Sequence, residues 1–270
     1  AMSHEQILED PLVTLDDLII GGRKIYQRLD QFKFSIDAVL LAHFASYKKG
    51  ASYLDLGTGT GILPLLATAL GADHVTGLEI NPIMAGLARQ SVAYNGLEES
   101  IQIIEGDYRL GHLGPSAKEG LLHLGSRPFA GVLVNPPYYD SQAGKKPASH
   151  DLSLALHDGE TSLDMVLATA KRLVKYGGKL WMIYLASRLP HALGTMGRYG
   201  FAPKRMRLVH SYPKGQAKLV LLEGQLGAKE GLVIEDPLFI YKEPGVYTEE
   251  VAGWYGQANR NPLPSADTHW

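Results

Sequence analysis

Short apolar segments alternate with amphipathic ones over most of this chain, a pattern that leaves few folds open to it. Five segments are apolar enough to be strands buried on both faces of a sheet. They lie at residues 51–56, 75–79, 101–105, 131–135 and 179–185. Two further strands, near Arg205–His210 and Ala217–Glu223, bring the number to seven. The alternation predicts an α/β fold with a doubly wound, seven-stranded and mostly parallel sheet.

The segments around this pattern have their own local signals. Residues Asp16–Gln27 predict a hairpin that turns at Gly21-Gly22. Ser35 is a good N-cap for the first helix, and Asn81-Pro82 is a good start for a helix over Ile83–Tyr94. We therefore expect a short N-terminal extension, a main domain and a tail, for which disorder and a partner contact are both open. Their bounds are 1–34, 35–251 and 252–270.

A glycine-rich turn follows the first buried strand, in the sequence DLGTGTG that runs from Asp55 through Gly57 and Gly59 to Gly61. Glycines there allow a tight turn and a close approach to a ligand. The dinucleotide fingerprint is G-x-G-x-x-G, but its third glycine position is Ile62 here, and an aspartate precedes the turn. This disfavours a bound pyrophosphate. It favours a cationic ligand without phosphate, namely S-adenosylmethionine.

Two more acidic residues follow the next two strands. Glu79 ends one strand, where α/β nucleotide-binding folds place a carboxylate that accepts hydrogen bonds from two ribose hydroxyls. Asp107 comes just after the strand Ile101–Glu105, and we expect it to accept from the adenine amino group of the cofactor. The order of these acids along the chain supports the choice of S-adenosylmethionine.

The tetrapeptide Asn135-Pro136-Pro137-Tyr138 closes the apolar run that begins at Gly131. Asn135 supplies a side-chain carbonyl, Pro136 has no N–H and leaves its own carbonyl free, and Tyr138 offers a flat aromatic face. Together these groups suit a planar nitrogen with two protons to donate, as in an exocyclic amine or an amide. We therefore expect chemistry at such a nitrogen.

These motifs resemble those of class I S-adenosylmethionine-dependent methyltransferases with an NPPY motif. Within that group the chain is most similar to the bacterial tRNA(adenine-N6)-methyltransferases that act on the adenosine next to the anticodon of valine tRNA. The resemblance covers roughly residues 12–251, and includes FKFSIDAVLLAHFA (32–45), KRLVKYGGKLWMIYLASRL (171–189), PKRMRLVHSYPKGQAKLVLLEG (203–224) and PLFIYKEPGVYTEEV (237–251).

The resemblance implies a Rossmann-like sheet, S-adenosylmethionine as cofactor and the anticodon loop of a tRNA as partner. It implies catalytic roles for Asn135, Pro136, Pro137 and Tyr138. It also implies that Asn135 and Asp37 join the cofactor-binding residues.

Basic residues cluster at two places, although the net charge is −2 and the pI is near 6.6. Lys145 and Lys146 lie in a polar stretch after the tetrapeptide, and a second cluster contains Lys204, Arg205, Arg207, Lys214 and Lys218. Phosphate contacts in RNA are made by such residues, so both clusters are candidates to bind nucleic acid, with a solvated face as the alternative.

Composition excludes several other classes. There are no cysteines, which excludes disulfides and thiolate metal sites. His150, His157 and Glu160 lack the spacing of a metal motif, so no metal is expected. The chain has neither a membrane span nor an export leader at its start, which leads us to expect a cytoplasmic enzyme, and a monomer.

Three alternatives remain open. A glutamine-amide N5-methyltransferase of a translation factor presents the same NH2 group, but such proteins resemble this chain less because they carry a helical domain before the sheet. DNA adenine methyltransferases usually add a recognition domain, for which no stretch between Glu160 and Val251 is suited. An S-adenosylmethionine-binding RNA assembly factor without catalysis is the third, and the intact NPPY motif argues against it.

Overall fold

The computed structural model describes residues 2–30, 36–107, 128–136 and 161–256, with the backbone alone at residues 161 and 162. The helices are α1 His4–Leu8, α2 Ile36–Phe44, α3 Ile62–Ala69, α4 Pro82–Tyr94, α5 Thr161–Leu173, α6 Leu189–Arg198 and α7 Glu249–Trp254. The strands are β1 Val13–Asp17, β2 Lys24–Arg28, β3 Ser52–Leu56, β4 His74–Glu79, β5 Ile101–Glu105, β6 Phe129–Val134, β7 Val174–Leu185, β8 Phe201–His210, β9 Ala217–Leu226, β10 Val233–Ile234, β11 Leu238–Phe239, β12 Tyr241–Glu243 and β13 Val246–Tyr247.

One large sheet organises the molecule, in the order β10-β8-β9-β7-β6-β3-β4-β5, with β11 also paired to β8. Strands β7, β6, β3, β4 and β5 are mutually parallel, and β9 runs antiparallel to both β7 and β8. The predicted doubly wound, mostly parallel sheet is confirmed. All seven predicted strands are in it, and the short strands β10 and β11 extend it to nine.

Each face of the sheet is covered by helices through its own apolar cluster. Alternate side chains of a strand point to opposite faces, so Tyr53 and Leu54 of β3 belong to different clusters. Helices α2, α3, α4 and α7 pack on the face of Tyr53, and α5 and α6 pack on the face of Leu54. This two-sided burial is why the central strands read as continuous apolar runs.

Helix α4 begins where the sequence predicts. Asn81 accepts hydrogen bonds at its Oδ1 from the backbone N–H groups of Ile83 and Met84, at 3.0 and 3.3 Å, with proline at the first helical position. Strand β7, by contrast, begins five residues before the predicted bound of residue 179, at Val174. Its register with β6 shifts between Phe129 and Gly131, so the early residues form an irregular extension.

The predicted hairpin is present as β1 and β2, which pair antiparallel around a turn at Ile20–Gly22. It is docked on α4 through polar contacts. The backbone N–H of Tyr26 donates to Ser91 Oγ at 2.8 Å, and that of Lys24 donates to Asn95 Oδ1 at 2.9 Å. The extension therefore belongs to the same folded body as the sheet.

Helix α7 reaches into the stretch that the sequence assigns to a tail, so residues 252–254 are helical. Trp254 stacks on His43 of α2 with 4.2 Å between ring centroids, and Tyr255 is buried. The remainder of the tail, residues 257–270, lies outside the described residues. Among the helices of the described residues, none combines the length and apolar character that a membrane crossing requires.

Candidate active site

The turns that follow four strands meet at one edge of the sheet. Leu56 of β3 is in register with Leu78 of β4 on one side and with Val134 of β6 on the other. Glu79 is in register with Glu105 of β5. Because all four strands are parallel, their carboxyl ends lie side by side, which is where open α/β sheets bind ligands.

The glycine-rich turn between β3 and α3 has the tight conformation that its sequence predicts. Gly57, Gly59 and Gly61 have φ angles of 77°, 60° and 90°, in a region that side-chain-bearing residues rarely occupy. The Gly57 N–H donates to the carbonyl of Leu78 at 2.9 Å, so the turn is held against the end of β4. Gly61 then serves as the N-cap of α3.

A fourth glycine of the site, Gly77 of β4, allows the turn to approach the sheet. A Cβ atom at Gly77 would lie within 2.7 to 2.9 Å of three side-chain atoms of Thr58. Thr58 therefore packs directly over the Gly77 backbone. The sequence pattern does not point to Gly77, although a glycine inside an otherwise apolar strand is a known sign of close approach.

Glu79 joins the glycine-rich turn to helix α4. Its Oε1 accepts from the Gly59 N–H at 2.9 Å, and its Oε2 accepts from the Asn81 N–H at 3.2 Å. Burial raises the pKa of Glu79, and the hydrogen bonds from backbone N–H groups partly oppose this. Each carboxylate oxygen keeps a second lone pair, so Glu79 can still accept hydrogen bonds from two ribose hydroxyls.

Asp55 is fully buried beneath the turn. Burial raises its pKa from 3.8 to about 7, the Thr58 hydroxyl opposes the rise, and the charge of Glu79 adds to it. The Thr58 hydroxyl nevertheless falls short of hydrogen-bond geometry, and neither Asp55 oxygen has a hydrogen-bond partner within the described part of the chain. A buried carboxylate without a hydrogen-bond partner suits a site in which a cationic ligand supplies the missing opposite charge.

Asp107 and Asp37 are the other acids predicted to bind the cofactor, and both are buried. Asp107 follows β5, and the adjacent Gly106 N–H donates to the carbonyl of Glu79 at 2.7 Å, so this turn lies against the end of β4. Asp37 lies in the first turn of α2. Their contacts with the cofactor stay predictions.

The turn predicted to be catalytic follows β6 on the other side of β3. Asn135 is half-buried and Pro136 is buried, directly after Val134. Two strand spacings, about 10 Å, separate the ends of β6 and β4, with the glycine-rich turn between them. Pro137 and Tyr138 lie outside the described residues, as do Lys145 and Lys146.

The basic residues of β8 make contacts within the chain, and their binding of RNA phosphates stays a prediction. Their partners are carboxylates and carbonyls that the sequence pattern does not connect with them. Arg205 forms ion pairs with Glu223 at 3.4 Å and Glu235 at 3.2 Å, and its guanidinium carbon lies 3.9 Å from the centre of the Phe44 ring.

Arg207 and Lys204, which lie near Arg205 in β8, also make contacts within the chain. Arg207 donates to Glu250 at 3.0 Å and to the carbonyl of Asp236 at 2.9 Å. Lys204 Nζ donates to the carbonyl of Lys229 at 3.1 Å. The charges of Arg205 and Arg207 are therefore compensated inside the fold.

Comparison with known proteins finds similarity to methyltransferases. Residues 35–114 match the family model "Ribosomal protein L11 methyltransferase (PrmA)". The chain is 28% identical over 221 residues to a tRNA1(Val) (adenine(37)-N6)-methyltransferase of Porphyromonas gingivalis, which covers 79% of this chain and 83% of that one. It is 25% identical over 227 residues to one of Phocaeicola vulgatus, covering 84% and 90%.

Solved structures share the fold. One is a predicted O-methyltransferase, protein Atu636 from Agrobacterium tumefaciens, with a TM-score of 0.62, 23% identity and coverage of 81% of this chain and 95% of that one. Another is P. horikoshii TYW2 in complex with MeSAdo, with a TM-score of 0.54, 16% identity and coverage of 80% and 72%.

The fold is that of class I methyltransferases, and together with the named sequence relatives it identifies a methyltransferase that uses S-adenosylmethionine. The predicted cofactor and the predicted enzyme class are thereby confirmed. The resemblance to the bacterial tRNA1(Val) (adenine(37)-N6)-methyltransferases is also confirmed, over about four-fifths of the chain.

Proposed function

We propose that this enzyme methylates the exocyclic amine of an adenosine in tRNA, in the anticodon loop of valine tRNA. The observation that carries the proposal is the position of Asn135 and Pro136 at the end of β6. They lie beside the glycine-rich turn and about two strand spacings from Glu79. The names of the sequence relatives support the choice of tRNA.

The chain's own residues prepare the nitrogen for reaction. The lone pair of an adenine amine is delocalised into the ring, so the amine is a poor nucleophile. Asn135 Oδ1 and the Pro136 carbonyl accept the two amino protons and so favour a tetrahedral nitrogen, while Tyr138 holds the plane of the ring. The lone pair then points toward the glycine-rich turn and Glu79, where the cofactor would bind.

Transfer needs no covalent enzyme intermediate. S-adenosylmethionine supplies a methyl group on a sulfonium: the N–C bond forms as the S–C bond breaks, and sulfur keeps the electron pair. The methylated nitrogen is briefly cationic and acidic, so its proton passes to water without a strong base. Asp55 and Glu79 hold the cofactor side, where a buried carboxylate favours a cationic ligand.

The adenosine must leave its stack to reach Asn135. An unpaired nucleotide in a loop costs less to extrude than a paired one, which favours an anticodon-loop target over a duplex. The match to the ribosomal protein L11 methyltransferase model does not favour a protein substrate, because it ends at residue 114 and so covers the cofactor side without Asn135.

The test uses methyl-labelled S-adenosylmethionine with a transcript of valine tRNA and, in parallel, the same transcript carrying guanosine at the target position. We expect label in N6-methyladenosine on the first transcript only. The Asn135→Ala variant should lose about 10²- to 10³-fold in rate at saturating cofactor. Absence of label in RNA, with cofactor binding intact, would overturn the proposal, and label in a glutamine amide of a translation factor would replace it.

A further inference from the structure

The turn between β8 and β9 lies at the same edge of the sheet as Asn135. Strand β8 runs parallel to β7, because both are antiparallel to β9. Leu185, the last residue of β7, is in register with Leu219 and thereby with Val209. Residues 211–216 therefore project beyond the end of β7, about 10 to 14 Å along the edge from β6, on the side away from Glu79.

An aromatic ladder fixes one side chain of this turn. Tyr255, Tyr247 and Tyr241 are buried and stacked, with 5.5 and 5.4 Å between successive ring centroids. Tyr212 continues the ladder at 5.6 Å from Tyr241, but 38% of it is exposed. The ring of Tyr212 is thus supported from inside the protein and open to solvent at the ligand-binding edge.

The turn itself is held in shape by local contacts. His210 Nδ1 donates to the carbonyl of Gly215 at 3.1 Å, across the base of the turn. Gly215 has a φ of 117°, which other residues rarely adopt. A fixed turn loses little conformational entropy when it binds a ligand.

Two lysines follow Tyr212, one in the turn and one at the start of β9. Lys214 and Lys218 are exposed, and neither forms an ion pair with the described residues, in contrast to Arg205 and Arg207 of β8.

We propose that this surface, formed by Tyr212, Lys214 and Lys218, binds the single-stranded RNA next to the target adenosine. Tyr212 stacks on a neighbouring base, and the two lysines pair with phosphates. An exposed aromatic ring beside basic side chains is the arrangement that recognises unpaired nucleotides. The inference rests on the proposed function and places the RNA contact at the part of the second basic cluster that lies after β8, with Tyr212 beside it.

Binding of a valine tRNA transcript, measured across a range of salt concentrations, tests this surface. Tyr212→Ala should weaken binding about tenfold, whereas Tyr212→Phe, which keeps the ring, should bind as the wild type does. Lys214→Ala with Lys218→Ala should also weaken binding and lower the slope of log affinity against log salt by about 1.4, because two phosphate contacts are lost.

Matched controls lie at the opposite edge. Tyr176 is 79% exposed, and Lys175 and Lys229 are exposed lysines. Tyr176→Ala and the double variant Lys175→Ala, Lys229→Ala should leave affinity and salt slope unchanged. Unfolding midpoints and cofactor affinity confirm that each variant is folded.

The outcomes separate the surface from the proposed function. If the wild-type protein methylates the transcript but the Tyr212 and lysine variants bind it normally, the surface is wrong and the function stands. An equal loss of affinity for a blunt RNA duplex would overturn the assignment to single-stranded RNA. If the wild-type protein neither methylates nor binds tRNA, the proposed function falls, and this inference falls with it.

Discussion

Glu79 Oε1 accepts a hydrogen bond from the backbone N–H of Gly59 at 2.9 Å, across 20 positions of the chain. The carboxylate at the end of β4 and the glycine-rich turn after β3 are therefore one unit. Its second oxygen accepts from the Asn81 N–H and so fixes the start of α4 as well. Removing this carboxylate therefore removes a group that is predicted to bind the cofactor. It also disturbs the glycine-rich turn, which Glu79 holds in place.

Glu79→Gln should weaken S-adenosylmethionine binding by at least about tenfold, because one hydrogen-bond acceptor of the carboxylate becomes a donor that faces an N–H or a ribose hydroxyl. Titration calorimetry measures the change. Glu98→Gln, at an exposed position after α4, is the matched control and should bind the cofactor normally. An unchanged affinity in Glu79→Gln would contradict the assignment of this residue to the ribose.

Asp55 should make the cofactor-free protein less stable as pH rises. Folding raises the pKa of Asp55 from 3.8 to about 7 through burial, so the folded state binds more protons than the unfolded state between these values. The free energy of unfolding therefore falls over this range and levels off above it. The Asp55 contribution should be up to about 3 kcal/mol smaller at about pH 8 than at about pH 5.

Denaturant unfolding of the wild type and of Asp55→Asn at the two pH values isolates this contribution. The neutral amide has no proton to lose, so the variant should show a shallower decline. The part that comes from Glu79, whose pKa is also raised by burial, should remain in both proteins. Parallel pH profiles for the two proteins would show that Asp55 does not titrate in this range.

Much of the fold is readable from the sequence because buried parallel strands are continuous apolar runs that end in glycine, proline or acidic residues. The cap Asn81 and the glycine-rich turn are local signals, and the structure has both. Helix α7 is different. Its position depends on Trp254 stacking on His43, a contact between distant parts of the chain that no local pattern records.

The candidate site is likewise predictable from the sequence only in part. Acids and glycines at strand ends are visible in the sequence because their role depends on local position. The partners of Arg205 are not visible, since Glu223 and Glu235 belong to other strands and loops. A count of positive residues along β8 therefore suggests a phosphate surface where the fold supplies its own counter-charges.

Gly77→Ser should destabilise the protein by about 1 to 3 kcal/mol and weaken cofactor binding, because its Cβ would meet Thr58 at 2.7 to 2.9 Å and displace the turn. Gly86→Ala is the informative control. Gly86 lies within α4 with no atom near its missing Cβ, so alanine there should stabilise by about 0.5 to 1 kcal/mol. The thermal unfolding midpoints should thus move in opposite directions, and an unchanged or raised midpoint for Gly77→Ser would contradict the packing of Thr58 on Gly77.

Glu223 is the buried centre of the ionic contacts under β8 and β9. Its Oε1 accepts from Trp181 Nε1 at 2.9 Å and lies 3.4 Å from Arg205 and 3.7 Å from Lys179. Glu223→Ala should cost about 3 kcal/mol of unfolding free energy, because the indole N–H loses its acceptor and Arg205 loses its buried counter-charge.

Glu235→Ala removes the other carboxylate of Arg205, which is 31% exposed, and should cost no more than about 1 kcal/mol because solvent screens that pair. Glu223→Gln should fall between the two, since an amide oxygen still accepts from Trp181 but carries no charge for Arg205. Urea denaturation of the three variants ranks the costs. A Glu235→Ala variant as unstable as Glu223→Ala would show that the charge of Arg205, and not the buried acceptor for Trp181, dominates this cluster.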